Sequence, residues 1–375
     1  MYTGRIEVSE SALSHNLRLF RSIIGPEIML CAVVKSNAYG HGMKLVAGLA
    51  LKQGADLLAV NCLDEAMELK EAFPSANILI MGQIEDIKKY RAELSYEKFW
   101  IVVSRSEDVA TLSSFSPMPR IHLKTDTGMG RLGFSGKKGY EVIDEIRSKK
   151  LPLHGLLSHF ASAEDFTEHS YSRLQLSRFM EYKEYTKKVG YENLIYHTAS
   201  SASTLLFPQA RQDMVRIGIS MYGLWPSDTT RYSMALLGHP EPELKPVLSW
   251  KTGIAHVQEV SPGSYIGYGS TYRMNYAAKI AVLPVGYYEG YNRRLSNQSY
   301  VLIRNQRAYI IGRVCMNMCM ADVSHIPGVS PGDDVVLIGR AGEEEVSADL
   351  LAGLSGSINY DIVTGINAKI PRYII

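Results

Sequence analysis

The chain lacks the features that mark membrane, secreted and nucleic-acid-binding proteins. Nowhere in its 375 residues does an apolar run reach the ~18–20 residues a membrane-spanning helix needs. Only four cysteines occur (Cys31, Cys62, Cys315 and Cys319), with no CxxC pair and no disulfide framework. They read as reduced thiols acting as small buried hydrophobes. Charge of one sign is also missing: 40 Lys and Arg against 38 Asp and Glu leave a formal +2. So small and dispersed a charge argues against nucleic acid or anionic lipid as a partner. The opening stretch "MYTGRIEVSESALSHNL" has no apolar centre of the kind a secretion signal carries, so a cytoplasmic protein is expected. No repeat and no low-complexity tract interrupts the chain. A content of 46% hydrophobic and 21% charged residues is that of a soluble globular protein, and the length is that of one large or two ordinary domains.

What is there falls into two textures. From about residue 29 to 219, short apolar runs alternate with turns and helix-like stretches. The runs are "IMLCAVV", "LLAVN", "NILIMG", "KFWIVV", "RIHLK", "LHGLLSH", "NLIYHT" and "VRIGIS". Continuous apolar runs, rather than alternating ones, predict strands covered on both faces. Between them the spacing is helical. In "NCLDEAMELKEAF" it sets Leu63, Ala66, Met67 and Lys70 on one face, with acids in the first turn. Eight strand–helix units favour a (β/α)8 barrel over a doubly wound open sheet.

The stretch 225–247 is rich in proline and polar groups. A domain boundary is placed there, giving a barrel over residues 1–236 and a β-rich domain over 237–375. Beyond it come short alternating runs, and the two that flank "RNQR" read as a hairpin. At the start, "GRIEVSESALSHNLRLF" reads as a strand that pairs with the later domain. An amphipathic helix follows it, capped by Ser9 and buried through Leu13, Leu17 and Phe20.

In such a barrel, chemistry collects where strands end. The first run ends at Lys35, the fifth at Lys124 inside "LKTDTGMGRLGF", and the sixth at His159. The seventh leads into "HTASSAS", and the eighth carries Arg216 and Gly218. A single lysine in such a place is ordinarily a solvated strand end or an ion-pair partner. A lysine desolvated beside other cations gives up its proton more readily and can condense with an aldehyde. Pyridoxal phosphate is the cofactor that uses such an amine. The serine-rich turn at 200–203 and the backbone at Gly218–Ile219 offer donors for a phosphate, although such a turn is ordinarily only a helix cap.

Nine stretches carry a resemblance to one family: "AVVKSNAYGHG", "LKTDTGMGRLGF", "GLLSHFASA", "MVRIGISMYGL", "LKPVLSWKT", "GYGSTY", "LPVGYYEGY", "GRVCMNM" and "INYDI". In order and spacing the chain resembles the pyridoxal-phosphate-dependent alanine racemases, from about residue 5 to 373. The resemblance implies a barrel followed by a β domain, and Lys35 as the lysine that carries the cofactor. It implies that Tyr39, Ser201, Gly218, Ile219 and Tyr360 hold the cofactor phosphate, that Arg216 donates to the pyridine nitrogen, and that His159 packs on the ring. Arg131 would bind the substrate carboxylate, and Lys124 is a position often carbamylated. Tyr268, the second catalytic residue, and Met316, on the substrate side, would come from the partner of a homodimer. Tyr287 would line the substrate's path. No metal is implied.

Racemisation removes a proton from one face of Cα and returns it on the other, so two bases are expected, Lys35 and Tyr268. A free phenol titrates near ~10, and His159 and Arg216 are the cations offered to lower it. The implied role is supply of D-alanine for cell-wall peptidoglycan. Asn317 stands where the family commonly has aspartate, Ser200 where it has asparagine, and Ser36 where it has alanine. A serine racemase or one of broad specificity, such as the racemase module of a glycopeptide-resistance enzyme, is therefore the alternative. Two further readings fit less well. A barrel-type decarboxylase would want an acid in place of Arg216, and a cofactor carrier would lack residues 248–375.

Overall fold

The computed structural model describes residues 4–163 and 170–375. They fall into two compact units. One is 12–38 with 43–245; the other is 4–11, 39–42 and 246–375. The short β1 (Arg5–Val8) belongs to the second unit. Each of the eight apolar runs forms a strand of the first: β2 (Met29–Val33), β3 (Leu57–Val60), β4 (Ile78–Ile80), β5 (Phe99–Val103), β6 (Arg120–Lys124), β7 (Leu153–Leu157), β8 (Ile195–His197) and β9 (Met214–Ile217). Every neighbouring pair is parallel, in the order β8-β7-β6-β5-β4-β3-β2-β9. At the seam between β8 and β9, single hydrogen bonds close the barrel. Asp213 N donates to Tyr196 O at 3.0 Å, Arg216 N to Ala199 O at 3.0 Å, and Tyr196 N to the Asp213 carboxylate at 2.8 Å. The strands are buried almost throughout, as continuous apolar runs require.

The first helix (Glu10–Ile24) starts one residue after Ser9 and buries Leu13, Leu17 and Phe20. Asn16, fully buried on the same helix, donates to Met221 O and Lys245 O and accepts from Lys245 N, which ties residues far apart in the chain. The helix Leu63–Ala72 turns further than its sequence pattern implies. Leu63, Ala66 and Leu69 are buried, while Met67 and Lys70 are half-buried. Lys70 lays its ammonium 4.3 Å above the Tyr96 ring instead, so an aromatic neighbour rather than the core takes its stem.

The second unit holds a ten-stranded sheet. Along it run β10 (Leu248–Gly253), β11 (His256–Val260), β12 (Ala278–Leu283), β13 (Tyr300–Ile303), β14 (Gln306–Ile311), β15 (Cys319–Asp322), β16 (Asp334–Ala341), β17 (Glu344–Val346) and β18 (Arg372–Ile374). β1 pairs antiparallel with β10 and parallel with β18. The β13–β14 hairpin turns through Arg304 and Asn305, at φ 50° and 62°. Both are left-handed, as a two-residue turn of this hand demands.

Inside the barrel, Gly155 of β7 makes room for a buried histidine. A Cβ there would lie 2.2 Å from His122 Nδ1 and 2.8 Å from Ile195 O. Gly155→Ala is expected to lower unfolding stability by about 2 kcal/mol, in the range of overpacked cores, read as a shift in the denaturant midpoint.

Candidate active site

Lys35 leaves β2 two residues past its last paired position and opens a rare backbone feature. Ser36, Asn37, Ala38 and Tyr39 all lie in the left-handed region, at φ 54°, 54°, 52° and 52°. Each non-glycine residue there costs roughly 1–2 kcal/mol, so the turn must be held from outside. Ala38 N donates to Val34 O at 2.9 Å, and Asn37 Oδ1 accepts from Met43 N at 3.0 Å. The Glu65 carboxylate accepts from Ser36 N at 2.6 Å and from Asn61 N at 2.8 Å, clamping the loops after β2 and β3 together.

Arg216 is buried on β9 and spreads its guanidinium across the ends of two neighbouring strands, β7 and β8. Nη1 donates to His197 Nδ1 at 2.9 Å and to His197 O at 3.0 Å. Nη2 donates to Ser158 O at 2.9 Å and Thr198 O at 3.1 Å, and lies 3.3 Å from His159 Nδ1. Its Nε–H has no partner among the described residues. Because His197 Nδ1 accepts, its Nε2 carries the proton and donates to His122 Nδ1 at 3.0 Å. His122 stacks on Trp100 with ring centroids 4.9 Å apart. Burial pushes Arg216 down to about 10 and His122 down to about 3, and holds His197 well below the ordinary histidine range.

The loop after β6 is built by Asp126. Its carboxylate accepts from the amides of Gly128, Met129 and Gly130 at 2.7–3.2 Å, an Asx turn that fixes where Arg131 leaves the chain. Thr127 Oγ1 meets Ser158 Oγ at 2.8 Å, joining this loop to the end of β7. Burial and then the Arg216 and Arg131 charges press Lys124 down to about 8. Burial and then Arg131 lower Lys35, while Glu65 acts to raise it. Burial and the same cations push His159 down to about 3.

After β8, Ser200 caps the helix Ser201–Leu206 through reciprocal bonds with Ser203. Ser201 Oγ then accepts from Gly218 N at 3.0 Å and Ser220 N at 3.5 Å. The Ser220 hydroxyl itself is buried with no partner. Among the described residues no group of His, Cys, Asp and Glu could hold a metal ion.

Lys35, Lys124, Arg131, His159, Ser201, Arg216, Gly218 and Ile219 thus all stand at one end of the barrel, either on the last residues of a strand or on the segment that follows it. The signature of the alanine racemase N-terminal domain matches residues 8–226, and that of its C-terminal domain matches 247–374. The chain belongs to the alanine racemase family. An alanine racemase from Leptospira interrogans is 48% identical over 374 residues, covering 100% of this chain and 96% of that protein. One from Halothermothrix orenii is 38% identical, covering 98% and 95%. The crystal structure of alanine racemase from Bacillus anthracis with bound L-Ala-P superposes with a TM-score of 0.90 at 36% identity, covering 100% of this chain and 95% of that one.

In this family member the second unit carries the other expected residues. The Tyr39 and Tyr360 rings lie 6.0 Å apart. Tyr268 is 71% exposed, in a turn between Gly267 and Gly269 that are both left-handed, and Met316 is 55% exposed. Tyr287 is exposed as well. Cys31 and Cys319 are buried, whereas Cys62 and Cys315 are only half-buried. One sequence expectation needs correction. His159 is not suited to the cationic role expected of it, because burial and the surrounding cations push it down to about 3. Three contributors went unrecognised: Glu65, Asp126 and Ser220. Only Asp126 had a signal, an aspartate followed by two close glycines in "TDTGMG".

Glu65 makes a direct test of the electrostatics. Glu65→Gln removes the one carboxylate that raises Lys35, so the amine should titrate lower still. Nitrogen-15 NMR of the lysine side chains reads the shift.

Proposed function

We propose that this racemase interconverts L- and D-alanine with Lys35 and Tyr268 as its two bases and pyridoxal phosphate as its cofactor. The observation that carries this reading is the Lys35 amine. It stands at a strand end, held below the ordinary lysine range by burial and by Arg131, within a cluster of cations. The donor set fits the cofactor. Arg216 has a single uncommitted N–H, the kind of donor a ring nitrogen needs. The Ser201 hydroxyl, which accepts from two amides and so keeps its own proton to donate, and the unpartnered Ser220 hydroxyl match a phosphate. Tyr39, Ile219 and Tyr360 would complete that phosphate site. When bound, the cofactor supplies a conjugated system that makes the alanine Cα–H acidic.

The residues divide the remaining work. Arg131 would hold the substrate carboxylate, keeping Cα in one place while its proton changes faces. Lys35 Nζ would take or return that proton on one face, and Tyr268 Oη on the other. Arg216 keeps its proton at neutral pH, so it would bond the cofactor's ring nitrogen without protonating it and restrain side reactions. His159, neutral, would pack against the ring. Lys124, pressed down to about 8, gives up its proton more readily than an ordinary lysine. Such an amine can add to carbon dioxide and lose a proton, giving an anion beside Arg131 and Arg216.

The exposed Tyr268 and Met316, together with Tyr287, support a homodimer in which each protomer completes its partner's site. The same reading places the enzyme in the cytoplasm, supplying D-alanine for peptidoglycan. No helix among the described residues is long and apolar enough to cross a membrane.

Two measurements test the assignment. In Tyr268→Phe, racemisation of both enantiomers should fall together by about 10²–10⁴-fold, since enantiomers are equal in energy. Exchange of the α-hydrogen with deuterated solvent should persist for one enantiomer only; loss for both would mean one shared base. Lys35→Ala and Tyr268→Phe should each be nearly inactive. Mixed and allowed to exchange protomers, they should regain activity, because one site of the hybrid then holds both bases.

A further inference from the structure

Two loops of the second unit carry Tyr287 and Met316, and they are joined by an arrangement that the reaction chemistry does not by itself require. Tyr287 N donates to Cys315 O at 3.1 Å, and Tyr288 N to Met316 O at 2.9 Å. The backbones meet so closely that a Cβ on Gly286 would lie 2.2 Å from Cys315 O and 2.5 Å from Met316 O. At the centre sits Glu289, a carboxylate only 5% exposed. One of its oxygens accepts from Gly286 N at 2.9 Å, and the other accepts from the Asn317 amide at 2.8 Å. No lysine or arginine pairs with Glu289 among the described residues. Its own carbonyl accepts from Asn367 N at 3.1 Å, and Asn367 Nδ2 donates to Tyr288 O at 3.1 Å, anchoring the turn from below.

We infer that Glu289 is a positioning residue whose charge is matched to the amide of Asn317, and that the two residues form one unit. The physical reason is the acceptor inventory. An ionised carboxylate only accepts, so its partner at 2.8 Å must donate, and an asparagine amide does. An aspartate at 317 would set two acceptors against each other in a buried place, which forces either a shared proton or separation of the loops. The carboxylate the sequence lacks at 317 is carried instead from across the gap, by Glu289. The pair fixes the spacing of Tyr287 against Met316, and so the width of the wall they present to substrate. This last step rests on the racemase reading above.

The test is a swap. Asn317→Asp in the full-length enzyme should raise the KM for alanine about tenfold, a coupling typical of touching residues, with kcat changed by less than about threefold. The double variant Glu289→Gln with Asn317→Asp exchanges carboxylate and amide, and should bring KM back to within about threefold of wild type. The melting temperature is followed in parallel. If Asn317→Asp unfolds the protein, the swap should restore both the fold and KM. An unchanged KM in folded Asn317→Asp overturns the inference, as does a swap no better than the single variant. A wild type without alanine racemisation sinks the functional reading instead. In that case the melting temperatures still decide the pair: a loss in the single variant that the swap regains supports it, and any other pattern overturns it.

Discussion

The site depends on one buried cation. Arg216 lies on the last barrel strand, yet its guanidinium bonds carbonyls and a histidine at the ends of β7 and β8. These bonds lie close to the β8–β9 seam, where the ladder gives way to single hydrogen bonds. One side chain therefore helps close the barrel and sets the local potential. A charge taken out of water is costly unless surrounded by acceptors, and the strand-end carbonyls are those acceptors. Its field, added to burial, keeps His159 neutral and lowers Lys124. The Lys35 amine, lowered by burial and Arg131, joins a cluster where lysines are more easily neutral than in water and anions are favoured.

The barrel was legible in the sequence because all eight strands are buried on both faces and so read as continuous apolar runs. The hairpin through Arg304 and Asn305 was legible from turn chemistry. Less visible were β15, β17 and β18, each of three or four residues. Strands that short carry no period, and long-range pairing alone makes them strands. The pairing of β1 with β10 and β18 is likewise a non-local fact. The helix Leu63–Ala72 shows the limit of periodicity: both i+3 and i+4 steps are open to a helix, and the neighbours at Tyr96 and Phe99 decided between them.

The candidate residues were legible as types at strand ends, and the roles proposed for them came from motifs in order. What the sequence could not give is how they are held. The left-handed run Ser36–Tyr39 contains no glycine, so no residue announces it. Its clamp, Glu65, lies in an ordinary amphipathic helix. His159 looked like a cation because histidine often is one; only its surroundings make it neutral. Glu289 sits inside "GYYEGY", where nothing marks it as the buried partner of Asn317.

The central claim is that the barrel delivers one particular amine, at position 35, to a carbonyl-bearing cofactor. The most direct measurement is to incubate the purified protein with pyridoxal phosphate, reduce it with borohydride and map the modified peptide. The account predicts a single label at Lys35. Labelling at Lys124 or at surface lysines, with Lys35 unmodified, would contradict it.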